Sequence, residues 1–128
     1  MSKYLFDKDS SVIVLDVFIG NKGIRKKIRM ALDTGATYVM IPWEVAEILE
    51  LKPELSKERI ETVTASGVEK VPLVNLEIVR VLDKEARTIR AIVHDLPSRS
   101  YVDGLLGLSF LKNFNLHINF KEGTLEIE

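Results

Sequence analysis

With 128 residues the chain holds one domain around one core and is too short for two. A hydrophobic share of 46% beside 29% charged residues describes a globular chain rather than a disordered one. A net charge of −1 supplies no global attraction to nucleic acid or an acidic membrane, and the absence of cysteine removes disulfides, thiolate metal sites and a cysteine nucleophile.

Residues 1–10 are polar and are expected to form a flexible N-terminal segment ahead of a single domain over residues 11–128. The start, Met1 to Asp7, is too charged and too weakly apolar for a signal peptide, and no apolar run approaches the length of a bilayer span. The expectation is a cytoplasmic protein with no membrane or nucleic-acid partner. Val12 to Ile19 is β-branched and nearly continuous in apolar character, broken by Asp16. Gly20-Asn21-Lys22-Gly23 turns the chain, and Ile24 to Leu32 returns as the second arm of a hairpin. Arg25, Lys26, Lys27 and Arg29 form a basic cluster on that arm. No aromatic residue interleaves with them, so they read as a solvated face and not as a nucleic-acid patch.

The second arm delivers a carboxylate, Asp33, followed at once by Thr34, Gly35 and Ala36. A buried strand that ends in Asp places a charge where burial is costly, so the side chain requires hydrogen bonds or a chemical task. Gly35 permits a tight turn and close approach, and Thr34 brings a short donor and acceptor beside the carboxylate. Tyr38 to Ile41 reads as a short strand, Pro42 suits the first turn of a helix, and Trp43 to Leu51 carries helical periodicity until Lys52-Pro53 stops it. Trp43 fits either the core or a pocket wall. From Arg59 to Leu82 two strand-like segments flank Thr64-Ala65-Ser66-Gly67, the composition of a mobile hairpin tip. Pro72 within the long second arm points to an edge or a bulge. Arg87 to Leu96 is a further strand and Pro97 to Asp103 a polar loop. Gly104-Leu105-Leu106-Gly107 then leads into a short helix over Leu108 to Asn113, and two alternating strands, Asn115 to Phe120 and Thr124 to Glu128, end the chain.

Asp33-Thr34-Gly35-Ala36 resembles the active-site loop of aspartic peptidases, and the Ala after the glycine is favoured by retroviral and retroviral-like members. Gly104 to Leu111 resembles the hydrophobic-hydrophobic-glycine segment, with its following helix, that closes the loop in that family. The resemblance implies a mostly β fold: a closed retroviral-protease-like β barrel with one or two short helices, equivalent to one lobe of a pepsin. It implies Asp33 as catalytic group, Thr34, Gly35 and Ala36 as the active-site loop, and Thr34 bracing two such loops across a two-fold axis. Ala65, Ser66 and Gly67 would form the flap over substrate, and Leu105, Leu106 and Gly107 the loop-closing segment.

Hydrolysis by carboxylates needs a pair, one accepting a proton from water and one donating to the scissile carbonyl. The chain has a single Asp in this context, since Asp103-Gly104 lacks the intervening small hydroxyl residue and reads as a turn. A homodimer pairing Asp33 with its twin follows, acting as an endopeptidase on an extended peptide or protein substrate, with no metal and no cofactor. His94 and His117 lack metal-ligand spacing, and Ser109 lacks a nucleophile-elbow context. The alternative is a non-catalytic dimerisation or peptide-binding module of the same fold.

Overall fold

Burial alternates along the first long strand, with Leu15, Val17 and Ile19 inward and Asp16 and Phe18 outward. A sheet with one apolar face covers it by curling, and here it closes on itself. The computed structural model describes residues 2–64 and 66–128. Its strands are β1 (Ser2–Leu5), β2 (Val14–Asn21), β3 (Ile24–Leu32), β4 (Val39–Ile41), β5 (Arg59–Thr64), β6 (Gly67–Val81), β7 (Lys84–Val93), β8 (Gly104–Leu106), β9 (Leu116–Asn119) and β10 (Thr124–Ile127). The helices are α1 (Trp43–Ile48) and α2 (Leu108–Leu111), with a 3₁₀ turn at Pro53–Leu55. The fold is mostly β, as expected.

The barrel runs β2-β3-β8-β4-β7-β6 and closes through β2–β6 pairs such as Phe18↔Arg80. Inside lie Val17, Ile19, Met30, Val39, Ile41, Leu76, Val79, Leu106 and Phe110, all fully buried. α1 adds Val45 and Ala46 to this core, and Trp43, half-buried, packs against it. The helix was expected to reach Leu51. It ends at Ile48 because the chain turns left-handed at Glu50 (φ +55°) and Lys52 (φ +51°). Asn21 is buried at the β2–β3 turn and donates through Nδ2 to Leu49 O at 2.8 Å, tying the hairpin to the end of α1.

Two expectations change. The N-terminal segment is not loose throughout, since Ser2–Leu5 forms β1, antiparallel to β10 (Ser2↔Ile127 to Leu5↔Thr124). The C-terminal strand thereby has a neighbour on each side within its own chain, β1 and β9. Pro72 sits in register with Arg59 and causes no bulge. Leu73 N–H reaches Glu58 O at 3.0 Å, so by alternation the proline nitrogen faces the opposite side, where the β7 ladder has not yet begun. A missing N–H costs nothing there.

Candidate active site

β3 ends at Leu32, and the next residue is Asp33, half-buried. Its N–H donates to Leu106 O at 3.1 Å, and its Oδ1 accepts the Gly35 N–H at 2.9 Å. The Asp33 carbonyl accepts Ala36 N–H at 3.2 Å, completing a tight turn that directs the chain into β4. A Cβ at Gly35 would lie 3.2 Å from Asp33 Oδ1, close enough to push the carboxylate by a few tenths of an ångström.

β8 locks this turn. It lies between the strand entering the turn and the strand leaving it, parallel to β3 (Ala31↔Leu105, Leu32↔Leu106) and antiparallel to β4 (Met40↔Leu105). The chain then crosses directly beneath the loop, where Leu108 N–H reaches Ala36 O at 2.8 Å and Ser109 N–H reaches Thr37 O at 3.0 Å. Backbones meet so closely that both glycines of the segment are obligatory. A Cβ on Gly107 would come within 2.7 Å of Ala36 O and also collide with Tyr38 O, and one on Gly104 would strike Met40 O.

Other side chains hold the frame. Ser109 Oγ accepts Val39 N–H at 2.9 Å and donates to Arg90 O at 2.7 Å, fastening α2 to β4 and β7. Asp95 Oδ1 accepts Trp43 N–H at 3.0 Å at the start of α1. Asp103, read as a plain turn residue, clamps β3: its carboxylate accepts Arg29 N–H at 3.1 Å while its own N–H reaches Arg29 O at 2.8 Å. Sequence reasoning missed these three as positioning groups. Each has a partner 52 to 74 positions away, and no local pattern announces such a bond.

A cleft of about 460 Å³ opens between this floor and the β5–β6 hairpin. Met40, Leu96 and Leu105 line one side, and Thr62, Val63 and Ser66 the other. Leu105 adjoins Leu106, the residue that receives the Asp33 N–H. The structure thus joins Asp33, Gly35 and Ala36 with Leu106 and Gly107 in one bonded unit, and places Ser66 across the cleft from it. Gly67 (φ +116°) closes the hairpin with its carbonyl 3.1 Å from Thr64 Oγ1. Ala65 lies outside the described residues. Thr34 is exposed on the surface of the chain. His94 lines the cleft with Nδ1 3.7 Å from Glu69 of the hairpin, and His117 meets Glu128 at 2.7 Å on the terminal sheet. Among the described residues no cluster of His, Asp and Glu is arranged to hold a metal.

A family model described as "gag-polyprotein putative aspartyl protease" matches residues 22–113, the span that carries the Asp33 loop, the hairpin, β8 and α2. The chain belongs to the retropepsin-like aspartyl protease family. Solved structures agree with this retropepsin-like fold. A retropepsin-like aspartic protease from Rickettsia conorii superposes with a TM-score of 0.73 at 24% identity, over 98% of this chain and 88% of that one. The EIAV protease in complex with the inhibitor HBY-793 superposes with a TM-score of 0.58 at 17% identity, over 85% and 93%. At these identities the likeness concerns the fold. No curated protein sequence matches significantly.

Proposed function

We propose that the protein is a homodimeric aspartic endopeptidase in which Asp33 of each subunit supplies one of two carboxylates. The observation that carries this reading is the Asp33 turn itself: a carboxylate oriented by Gly35 N–H and fixed to β8, whose Leu105 lines the cleft under the β5–β6 hairpin. Two carboxylates held close share one proton, the general behaviour of aspartic protease pairs. The ionised one takes a proton from the attacking water and the protonated one donates to the carbonyl oxygen of the substrate. Thr34 is exposed beside Asp33 and in this reading would meet its twin across the axis. An extended substrate would lie between the floor and the hairpin, covered by the segment around Ser66 and Gly67. Because β10 is flanked on both sides within one chain, β10 itself is not free to pair with a partner's strand.

Asp33→Asn tests the assignment. It should lower kcat by roughly 10²–10⁴-fold or more with the fold intact, while Asp103→Asn keeps activity. Mixing wild-type protein with excess Asp33→Asn protein should extinguish activity as mixed pairs form, and activity should fall as the square of concentration at high dilution. Unchanged activity in the mixture would mean that one chain suffices and would overturn the dimeric site. A wild-type dimer that binds peptides and cleaves none would establish the non-catalytic module instead.

A further inference from the structure

A second surface on the barrel has the chemistry of a docking site. Phe18 of β2 stands in register with Lys27 of β3 on one side and with Arg80 of β6 on the other. Cross-strand neighbours of this kind lie about 5 Å apart at Cβ, so one phenyl ring is bracketed by two cations. Phe18 is 45% exposed although Val17 and Ile19 beside it are fully buried, so it belongs to the surface and not to the core. The groove around it measures about 510 Å³ and is lined by Phe18, Arg25, Lys26, Lys27, Arg80 and Leu82, with no carboxylate among them. Asp16, opposite Arg29, and Asp83, after Leu82, flank it at one end. None of Arg25, Lys26 and Lys27 enters a salt bridge among the described residues.

The backbone beside this groove is open. β3 pairs with β8 only from Met30 to Leu32. The outward N–H and C=O of Arg29 are taken by Asp103. By the alternation of an antiparallel ladder, those of Arg25 and Lys27 face the same way, and among the described residues no backbone group meets them. Lysine on an edge guards against unwanted strand pairing. Such a guard needs no exposed phenyl ring and no groove of one sign.

We propose that this edge and groove dock an acidic, extended protein segment, whose backbone pairs with Arg25 to Lys27 and whose side chains meet the cations and Phe18. Alternating N–H and C=O groups are what the open edge requires, and of the anionic partners only a polypeptide supplies them. The site lies on the strand that carries the catalytic group: Lys27 and Asp33 are six positions apart, roughly 20 Å along β3. Granting the proteolytic function proposed above, the surface acts as an exosite that selects substrates bearing an acidic stretch at that distance from the scissile bond.

Binding is measured first, on the full chain and without any cleavage step. The ligands are a labelled twelve-residue peptide alternating Glu and Val, the same peptide N-methylated at every second residue, a Lys-Val counterpart, a twelve-nucleotide single strand and phosphatidylserine vesicles. The Glu-Val peptide should bind and shift the amide signals of Phe18, Arg25 and Lys27. N-methylation, or the double substitution Arg25→Glu and Lys27→Glu, should weaken it tenfold or more, with Arg25→Gln and Lys27→Gln giving an intermediate loss. Equal binding of the methylated peptide, the nucleotide strand or the vesicles would overturn strand docking, as would signal shifts confined to residues 33–36. Cleavage of an unfolded-proteome peptide mixture comes second: sites slowed in the double variant should be enriched in acidic neighbours, and an unchanged profile would overturn the exosite. Loss of all cleavage in both proteins with binding retained would refute the proteolytic reading alone.

Discussion

The Asp33 loop and the tip of the β5–β6 hairpin are built in opposite ways. The loop is bonded to everything around it: to β8 through Asp33 N–H, to α2 through Ala36 and Thr37 carbonyls, with Ser109 fastening the crossing to β4 and β7. The tip is bonded chiefly to itself, through Thr62↔Glu69, Val63↔Val68 and Thr64↔Gly67. Val63 and Val68 face each other across the two arms at 83% and 67% exposure, so an apolar pair stands outside the core. Glu69 and His94, 3.7 Å apart, make a side-chain contact from this hairpin to the floor. A group that must hold reacting atoms in place gains from being over-determined, whereas a surface that must admit and cover a chain gains from being free to part from it.

The sharpest way to break this contrast is at Gly107. A methyl group there has only backbone oxygens to meet, and backbone cannot rotate aside as a side chain can. Gly107→Ala should cost about 1–3 kcal/mol or more in chemical unfolding, with activity lost in proportion to the displaced loop. A fully stable, fully active Gly107→Ala protein would show that the crossing is looser than its geometry states. Ser109→Ala comes next. It leaves Val39 N–H and Arg90 C=O without their hydroxyl partner in a half-buried place, a loss of about 1–3 kcal/mol. Ser109→Thr, which restores the hydroxyl, should recover most of it.

The hairpin should respond the other way. Val63→Ser changes an exposed side chain, so stability should move by no more than about 0.5 kcal/mol. KM for peptide should rise several-fold while kcat holds, because the lost contact is one made with bound substrate in ground and transition states alike. A large fall in melting temperature with unaltered KM would place Val63 in the framework and dissolve the distinction between the two regions.

These differences also explain what could be read from the sequence. The Ile24–Leu32 arm was legible residue for residue, because a turn of Gly, Asn and Lys separates two apolar runs and fixes a local register. The Asp33 loop and the Gly104–Gly107 segment were legible as motifs, since close backbone approach leaves glycine as its trace. The basic cluster is exposed as read, but its aromatic neighbour could not be seen from the local sequence. Phe18 is brought to Lys27 by strand pairing, and Arg80 by closure of the barrel between residues far apart in the chain. β1 was missed for the same reason, because its partner is at the other end of the sequence. Local chemistry leaves local signals, while register between distant strands leaves none in a single sequence.

The smallest expected effect lies inside the rigid region, at Ala36. Its N–H and C=O are both committed, to Asp33 O and to Leu108 N–H, so its place in the turn is fixed. Its side chain is a methyl group that neither donates nor accepts. Ala36→Ser adds a hydroxyl three positions from Asp33 at little steric cost. A hydroxyl donating to the carboxylate pair favours the ionised form, so the shared proton is lost at lower pH. The alkaline limb of the kcat/KM profile should then move downward by up to about one pH unit, the scale of one hydrogen bond, with the acid limb moving in the same sense. If Asp33 works in the proposed pair, the limbs belong to the pair and not to one carboxylate, so the whole profile must be followed. Because Ala36 is held by its backbone, stability should change by less than the activity profile does. A shift toward higher pH would mean that the hydroxyl donates elsewhere and adds only a dipole facing the pair. An unmoved profile in an active variant would show that position 36 positions the turn without tuning its charge.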